Sequence, residues 1–417
     1  MVQQFPEFFS LADQGIVSAA GLVTGALVGR YGGGEELGLY MLGLTIALLV
    51  SEFQVSLIST PYMIYSPRLR SSALRDYTGS TLLQQMTLGL VMTLVVSGAG
   101  MALVTSQGRV GLGSTLLALG PALFAIVSRD HVRRIEYARL RPKRALAVDA
   151  LVSGIQVPLL IYLSLTERMT AALAFGAVGI ATGIGWAGWM VASRPSLFTV
   201  TARLIPDLHR GWRLGRWLLA SSAVWAMATH SYPWMLDYFR GTAEVGVWAA
   251  CFGTLAFARV PLVGFQNMIG PKLATLMAKR GAEALRKRTD RYALRLGLSL
   301  GVAALLFWAF GERLIVLVYG SEFSGLGDLV FVLALAVAAM GTAFPYSRAL
   351  FVLDRANLDF TANLIPIAVL VTLGLAFTQR FGALGAASSL LLANVLAASV
   401  RYALFTHVAS RKTGSQS

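Results

Sequence analysis

Twelve apolar stretches divide this sequence: approximately 11–30, 37–65, 77–105, 110–128, 145–166, 169–192, 215–236, 244–270, 294–311, 327–347, 357–378 and 381–400. A helix needs about 20 apolar residues to cross a hydrocarbon core of about 30 Å. Lipid gives the backbone no water to bond, so such stretches must satisfy their own N–H and C=O groups as helices. The cations between them alternate. Segments in or bordering the connections after the even-numbered stretches hold 28 of the 35 Lys and Arg. Connections after the odd-numbered stretches hold one each: Arg30, Arg109, Arg168, Arg240, Arg313 and Arg380. Arg259 lies inside a stretch. This bias puts the even connections, and both termini, on the cytoplasmic side. The fold class is therefore all-α and polytopic, with about twelve transmembrane helices.

The charge content agrees. Only 13% of residues are charged and the mean hydropathy is +0.66, against about 25% charged in soluble domains. A net charge of +15 would suggest nucleic acid in a soluble chain. Its placement assigns it to topology and contact with anionic membrane lipids, with no nucleic-acid partner. The single Cys251 excludes an internal disulfide. The first ten residues carry Glu7 and no Lys or Arg, so the first stretch reads as a retained helix rather than a cleaved signal. None of the five Lys follows a Gly, so no phosphate-binding Gly-Lys-Ser/Thr motif exists. No His/Cys/Asp/Glu cluster has metal-ligand spacing, and no cofactor is expected. The outward connections are too short to hold a catalytic domain, which argues against an enzyme such as a membrane-integral glycan polymerase.

The first two stretches form a hairpin around Arg30-Tyr31-Gly32-Gly33-Gly34-Glu35-Glu36. Gly21, Gly25 and Gly29 share one face of the first helix, where a neighbouring backbone is expected to approach closely. The second, Leu37 to Pro67, exceeds the hydrocarbon thickness and must tilt, kink or protrude, with Pro61 the expected kink. Half a chain later the pattern returns. Glu36-Leu37-Gly38-Leu39-Tyr40 is echoed by Glu244-Val245-Gly246-Val247-Trp248, and Gly33 falls on Gly241. An offset of 208 in 417 residues predicts a parallel, pseudo-two-fold repeat. The expected organisation is an N-lobe over 1–193, an amphipathic cytoplasmic elbow over 194–213 and a C-lobe over 214–417.

Several local expectations follow. Ser10 to Asp13 fits a capping box, making Asp13 a helix-start residue. Asp149 reads as an interfacial partner of Arg144. Trp212, Trp217, Trp234 and Tyr238 read as aromatic belts, which leaves Trp225 and His230 as the deep aromatic candidates of the seventh helix.

With those residues in view, the chain resembles polysaccharide-biosynthesis flippases of the multidrug/oligosaccharidyl-lipid/polysaccharide exporter (MOP) superfamily. The resemblance rests on Ala12-Asp13-Gln14-Gly15-Ile16-Val17-Ser18, the small-residue helix, Arg30-Tyr31-Gly32 and Glu36-x-Gly38-x-Tyr40. It is local, over about residues 10–65, and extends over the chain in helix count and two-half organisation. The family's Leu-Gly-Pro-like turn is replaced by Gly32-Gly33-Gly34. Some relatives, such as lipid II flippases, have fourteen helices where this chain shows twelve. The resemblance implies a MATE-like fold of two six-helix lobes in a bacterial-type cytoplasmic membrane, opening alternately to each side. It implies a polyprenyl-pyrophosphate-linked oligosaccharide as cargo, a proton or sodium as coupling ion, and other polysaccharide-assembly proteins as partners. A cation-coupled multidrug antiporter of the same superfamily is the alternative.

Glu52 and Arg259 are the deep charges. In the 208 register Arg259 falls on Ser51, so the two share a depth in the second and eighth helices. A buried charge in lipid faces a partner or a wet path. Arg259 is expected to meet the carrier's pyrophosphate, and Glu52 to balance it or exchange a proton. A structural ion pair tying the lobes together, or two independent helix–helix contacts, is the alternative reading. Gln54, Gln266 and Asn267, with Trp225 and His230, complete the candidate substrate site. Gln84, Gln85, Gln156, Asn363 and Asn394 are further polar residues that either line a cavity or join helices.

Overall fold

The computed structural model describes residues 5–106, 108–194 and 204–414, and within these the side chains of 5–7, 11, 221, 257–268, 271 and 411–414 lie outside the description. The described residues form helices and no strand. The run Phe5–Gln54 is broken at Gly33, giving α1 (5–32) and α2, which continues through a π-helical turn at Val55–Ser59 and on through Thr60–Tyr65. Then follow α3 (Ser71–Thr105), α4 (Val110–Ala138), α5 (Pro142–Leu165), α6 (Ala171–Ser193) and α7 (Leu204–Arg240). Helix α8 starts as Thr242–Thr254 and runs on to a break at Gly281, after which α9 covers 282–319. Helix α10 is Gly327–Val352; α11 starts at Ala356 and ends at a break at Gly382; α12 covers 383–414. Among the described residues, eight segments are long and apolar enough to cross a membrane, and Phe8–Arg68 and Ala356–Ser410 each hold two rods. This is a multi-pass membrane architecture.

The chain divides into two compact units, Met1–Ala223 and Val224–Ser417, with the division inside α7. The two units repeat one device. Gly33 (φ 81°, ψ −177°) and Gly241 (φ 91°, ψ 169°) hold the same backbone conformation, a region open almost only to glycine. Three residues later, Glu36 Oε2 accepts the backbone N–H of Ala171 at 2.6 Å. Glu244 Oε1 likewise accepts the N–H of Ala383 at 2.8 Å. Each carboxylate thus caps the start of the last helix of its unit, where free N–H groups and the helix dipole favour an anion. The α4–α5 and α10–α11 turns match too: Leu140 and Asp354 have φ 56° and 59°, and Arg141 and Arg355 each donate back to a carbonyl at 2.9 Å.

Four expectations change. A Cβ on Gly21 would meet nothing within 4 Å, whereas one on Gly100 would lie 2.8 Å from the Gly113 carbonyl oxygen. Gly21 thus makes no close approach, while α3 crosses α4 closely at Gly100 and Gly113. Helix α2 does not simply kink at Pro61; it widens into the π turn just before it. Proline cannot donate to the carbonyl four residues back, and the wider turn absorbs that mismatch. Asp13 lies inside α1, which has already begun by Phe5, so it is no helix cap. Of the elbow, 195–203 lie outside the described residues, and 204–213 are the opening turns of α7.

Candidate transport site

The π turn positions the first predicted residue. It brings Ser59 round to Gln54, five residues earlier, and Gln54 Nε2 donates to Ser59 Oγ at 2.5 Å. Ser59 Oγ in turn shares a hydrogen bond of 2.9 Å with His131 Nδ1 of α4. The Tyr62 ring stands edge-on to His131, with centroids 5.8 Å apart, and stacks on Tyr77 at 5.6 Å. Tyr62 also shares a 3.0 Å hydrogen bond with Thr78, whose hydroxyl accepts from Arg139 at 3.1 Å. All of Gln54, Ser59, Tyr62 and His131 are buried. Gln54 Oε1 and His131 Nε2 have no hydrogen-bond partner among the described residues.

Glu52, half-buried one turn earlier, feels the positive charge of Arg134 on α4. Arg259, Gln266 and Asn267 lie on the α8 backbone, and their side chains fall outside the description. Trp225 and His230 meet edge-on at 5.8 Å on α7, with Trp225 exposed. The structure thus joins Gln54 to His131 and Trp225 to His230.

A second polar centre escaped the sequence reading. Arg129, Arg133 and Tyr137 recur every four residues on α4 and so face one way. They meet Asp13 of α1 and Asp149 of α5. Arg133 lies 2.6 Å from Asp13 and 3.0 Å from Asp149, and Arg129 Nε donates to Asp149 at 2.8 Å. Tyr137 donates to Asp13 at 2.5 Å. Asp149 therefore pairs with Arg129 and Arg133, not Arg144: a buried carboxylate needs its charge compensated at its own depth. The four-residue period on α4 was the available signal; which acids it faced was not.

In the second unit, Arg401 Nε donates to Asp359 at 2.9 Å, and its Nη2 donates to Asn363. Several uncharged polar residues prove to join helices. Gln156 donates to Thr24 at 2.8 Å, and Asn394 to the Ala336 carbonyl at 3.0 Å.

A helical multi-pass membrane protein with an internal repeat is the class these elements define. Solved structures make the fold specific. The chain is similar to a multidrug-resistance MATE family transporter of the MOP superfamily in its inward-facing conformation, with TM-score 0.79, 16% identity, and 95% of this chain and 96% of that one covered. It is similar to the lipid II flippase MurJ in an inward closed conformation, with TM-score 0.73, 13% identity, and 97% and 90% covered. It is also similar to a MOP-superfamily transporter from Pyrococcus furiosus, described as having a binding pocket of reversed polarity, with TM-score 0.64, 15% identity, and 97% and 95% covered. No protein-family model matches the sequence, and no curated protein matches it. The chain has the MOP-superfamily fold.

Proposed function

We propose that this protein is a transporter that moves a polyprenyl-pyrophosphate-linked oligosaccharide from the inner to the outer leaflet of a cytoplasmic membrane, for polysaccharide biosynthesis. The lobes of 1–193 and 214–417 alternate access around the cargo, with 194–213 between them and both termini cytoplasmic. A sugar head cannot cross hydrocarbon unaided, because each hydroxyl would lose its water partners. A polar path removes that barrier while the lipid tail stays in the bilayer. Arg259 meets the pyrophosphate, Glu52 adjusts the charge beside it, and Gln54, Gln266, Asn267, Trp225 and His230 contact sugar.

One observation favours this cargo over a cationic drug. Every buried carboxylate among the described residues already has a partner in its own unit. Asp13 and Asp149 face arginines, and Asp359 faces Arg401. Glu136 accepts from the Trp189 indole at 2.9 Å, and Asp237 from Thr242 at 2.8 Å. A cation in a low-dielectric path requires an uncompensated acid; three of these five acids are neutralised by arginines, and Glu136 and Asp237 are held by neutral donors.

Deleting the gene and locating the lipid-linked oligosaccharide tests the reading. Accumulation on the cytoplasmic leaflet supports it. Unchanged glycan with altered drug sensitivity transfers the assignment to a multidrug antiporter of the same fold. Arg259→Ala is expected to abolish translocation in normally expressed protein; undiminished activity removes Arg259 from the site.

A further inference from the structure

The second unit contains a cleft that the transport reading does not use. Helix α8 runs past the last apolar residues as a basic arm, turns at Gly281 (φ 75°, ψ −172°) and returns as α9. Between the two arms lies an open cleft of about 670 Å³ lined by Lys272, Arg280, Lys287, Arg288, Arg291 and Tyr292. The period along each arm is three to four residues, so the cations share the inward faces of the hairpin. Among these described cations the one ion pair is Lys287 with Glu283, at 2.7 Å. Arg288 stacks on the Tyr292 ring at 4.9 Å. The floor is rigid: Tyr292 packs with Ile269, Leu273 and Leu285 in a buried apolar cluster.

Five cations surround one hollow and only Lys287 is paired with an acid among the described contacts, so their net positive field is relieved by an anion bearing more than one charge. Arginine forks suit phosphate oxygens in particular. The surroundings say where that phosphate comes from. Directly along α9 from Arg291 runs an exposed apolar stripe of Leu294, Leu298, Val302 and Leu305, at the spacing of one helix face. Headgroup cations running straight into a lipid-facing stripe form a site for a molecule with a phosphate end and an alkyl end.

We infer that the α8–α9 cleft is a binding site for a lipid whose headgroup carries two or more phosphate charges, with the phosphates among Lys272, Arg280, Lys287, Arg288 and Arg291 and a chain along Leu294, Leu298 and Val302. The site lies at the membrane surface within one unit, and it stands whatever the transported cargo is.

The test uses the full chain in detergent, titrated with diphosphatidylglycerol, with phosphatidylcholine and with inorganic pyrophosphate. Bound lipid is counted by native mass spectrometry and the unfolding temperature is followed. Diphosphatidylglycerol is expected to stay bound and raise the unfolding temperature; phosphatidylcholine is not. The combined variant Arg280→Ala, Arg288→Ala, Arg291→Ala removes exposed charges, and its lipid affinity is expected to fall on the order of a hundredfold, at about 1 kcal/mol per cation. A control removing three exposed cations of the first unit, Arg68→Ala, Arg70→Ala, Arg75→Ala, is expected to keep its affinity. Should the combined variant not fold, Arg291→Gln alone is expected to weaken binding several-fold. Equal losses in variant and control mean diffuse adsorption and overturn the site. An equal response to pyrophosphate overturns the lipid and leaves a soluble-phosphate site.

Discussion

The two units share their backbone devices and differ in their buried charge. Gly33 and Gly241 break the same hairpin, and Glu36 and Glu244 cap the same kind of helix start. Around Asp149, however, the first unit assembles two acids, two arginines and a tyrosine from α1, α4 and α5. Around Asp359 the second unit assembles one arginine and one asparagine, drawn from α11 and α12. The units thus agree in what sets the path of the chain and differ in the buried charges it carries. Properties that need asymmetry between the halves belong to the charges; properties of the scaffold belong to the glycines and the capping acids.

The largest expected effect tests the wiring. Asp149→Ala leaves Arg129 with only the more distant Asp130, at 4.0 Å, and leaves Arg133 with Asp13 alone. Removing one partner of a buried ion pair costs about 3–5 kcal/mol. Asp359→Ala strands only Arg401, which keeps its hydrogen bond to Asn363. Its expected cost is that of a charged hydrogen bond, about 1.5–3 kcal/mol. Unfolding temperatures in one detergent at equal expression rank the two. Equal losses would mean the first unit's network behaves as a single pair.

The backbone comes next. Gly33→Ala and Gly241→Ala each force a side chain into a glycine-only region, at about 1–3 kcal/mol. At Gly241 nothing stands within 4 Å of the added Cβ, so its loss reports backbone strain alone. A larger loss at Gly33 than at Gly241, measured by the same melts, would show that packing adds to strain in the first unit.

These comparisons also show which parts of the molecule were legible from sequence. The rods, their number and the repeat were, because apolar length and the alternation of cations are one-dimensional signals. Gly33 and Gly241 were found from register alone. The ionic network was not. Asp13 looked like a helix cap and Asp149 like a neighbour of Arg144 because nearness along the chain was the only distance on offer, while the contact that matters runs from residue 13 to residue 133. The π turn was hidden for a related reason: Pro61 announced a lost hydrogen bond but not that the preceding turn would widen to seat Ser59 against His131. Gly21 shows the reverse error: no neighbour comes within 4 Å of a Cβ placed there, while Gly100 and Gly113 make a tight crossing of α3 and α4.

The smallest effect bears most directly on the shared scaffold. Glu36→Gln and Glu244→Gln keep an oxygen that can accept the Ala171 or Ala383 N–H and remove only the charge. What is lost is the attraction of a carboxylate to a helix start, about 0.3–1 kcal/mol. Because one device serves both units, the two losses are expected to agree. Glu36→Ala and Glu244→Ala remove the acceptor as well, and the cost should rise to the roughly 1 kcal/mol of a missing cap. The Gly382 site adds a constraint: a Cβ there would lie 2.4 Å from Glu244 Oε1. Gly382→Ala should therefore displace the carboxylate in addition to straining its own backbone at φ 59°, and combining it with Glu244→Ala should cost less than the sum of the singles. Full additivity in that double-mutant cycle would separate the glycine from the cap, and with it the claim that both units are held by the same joint.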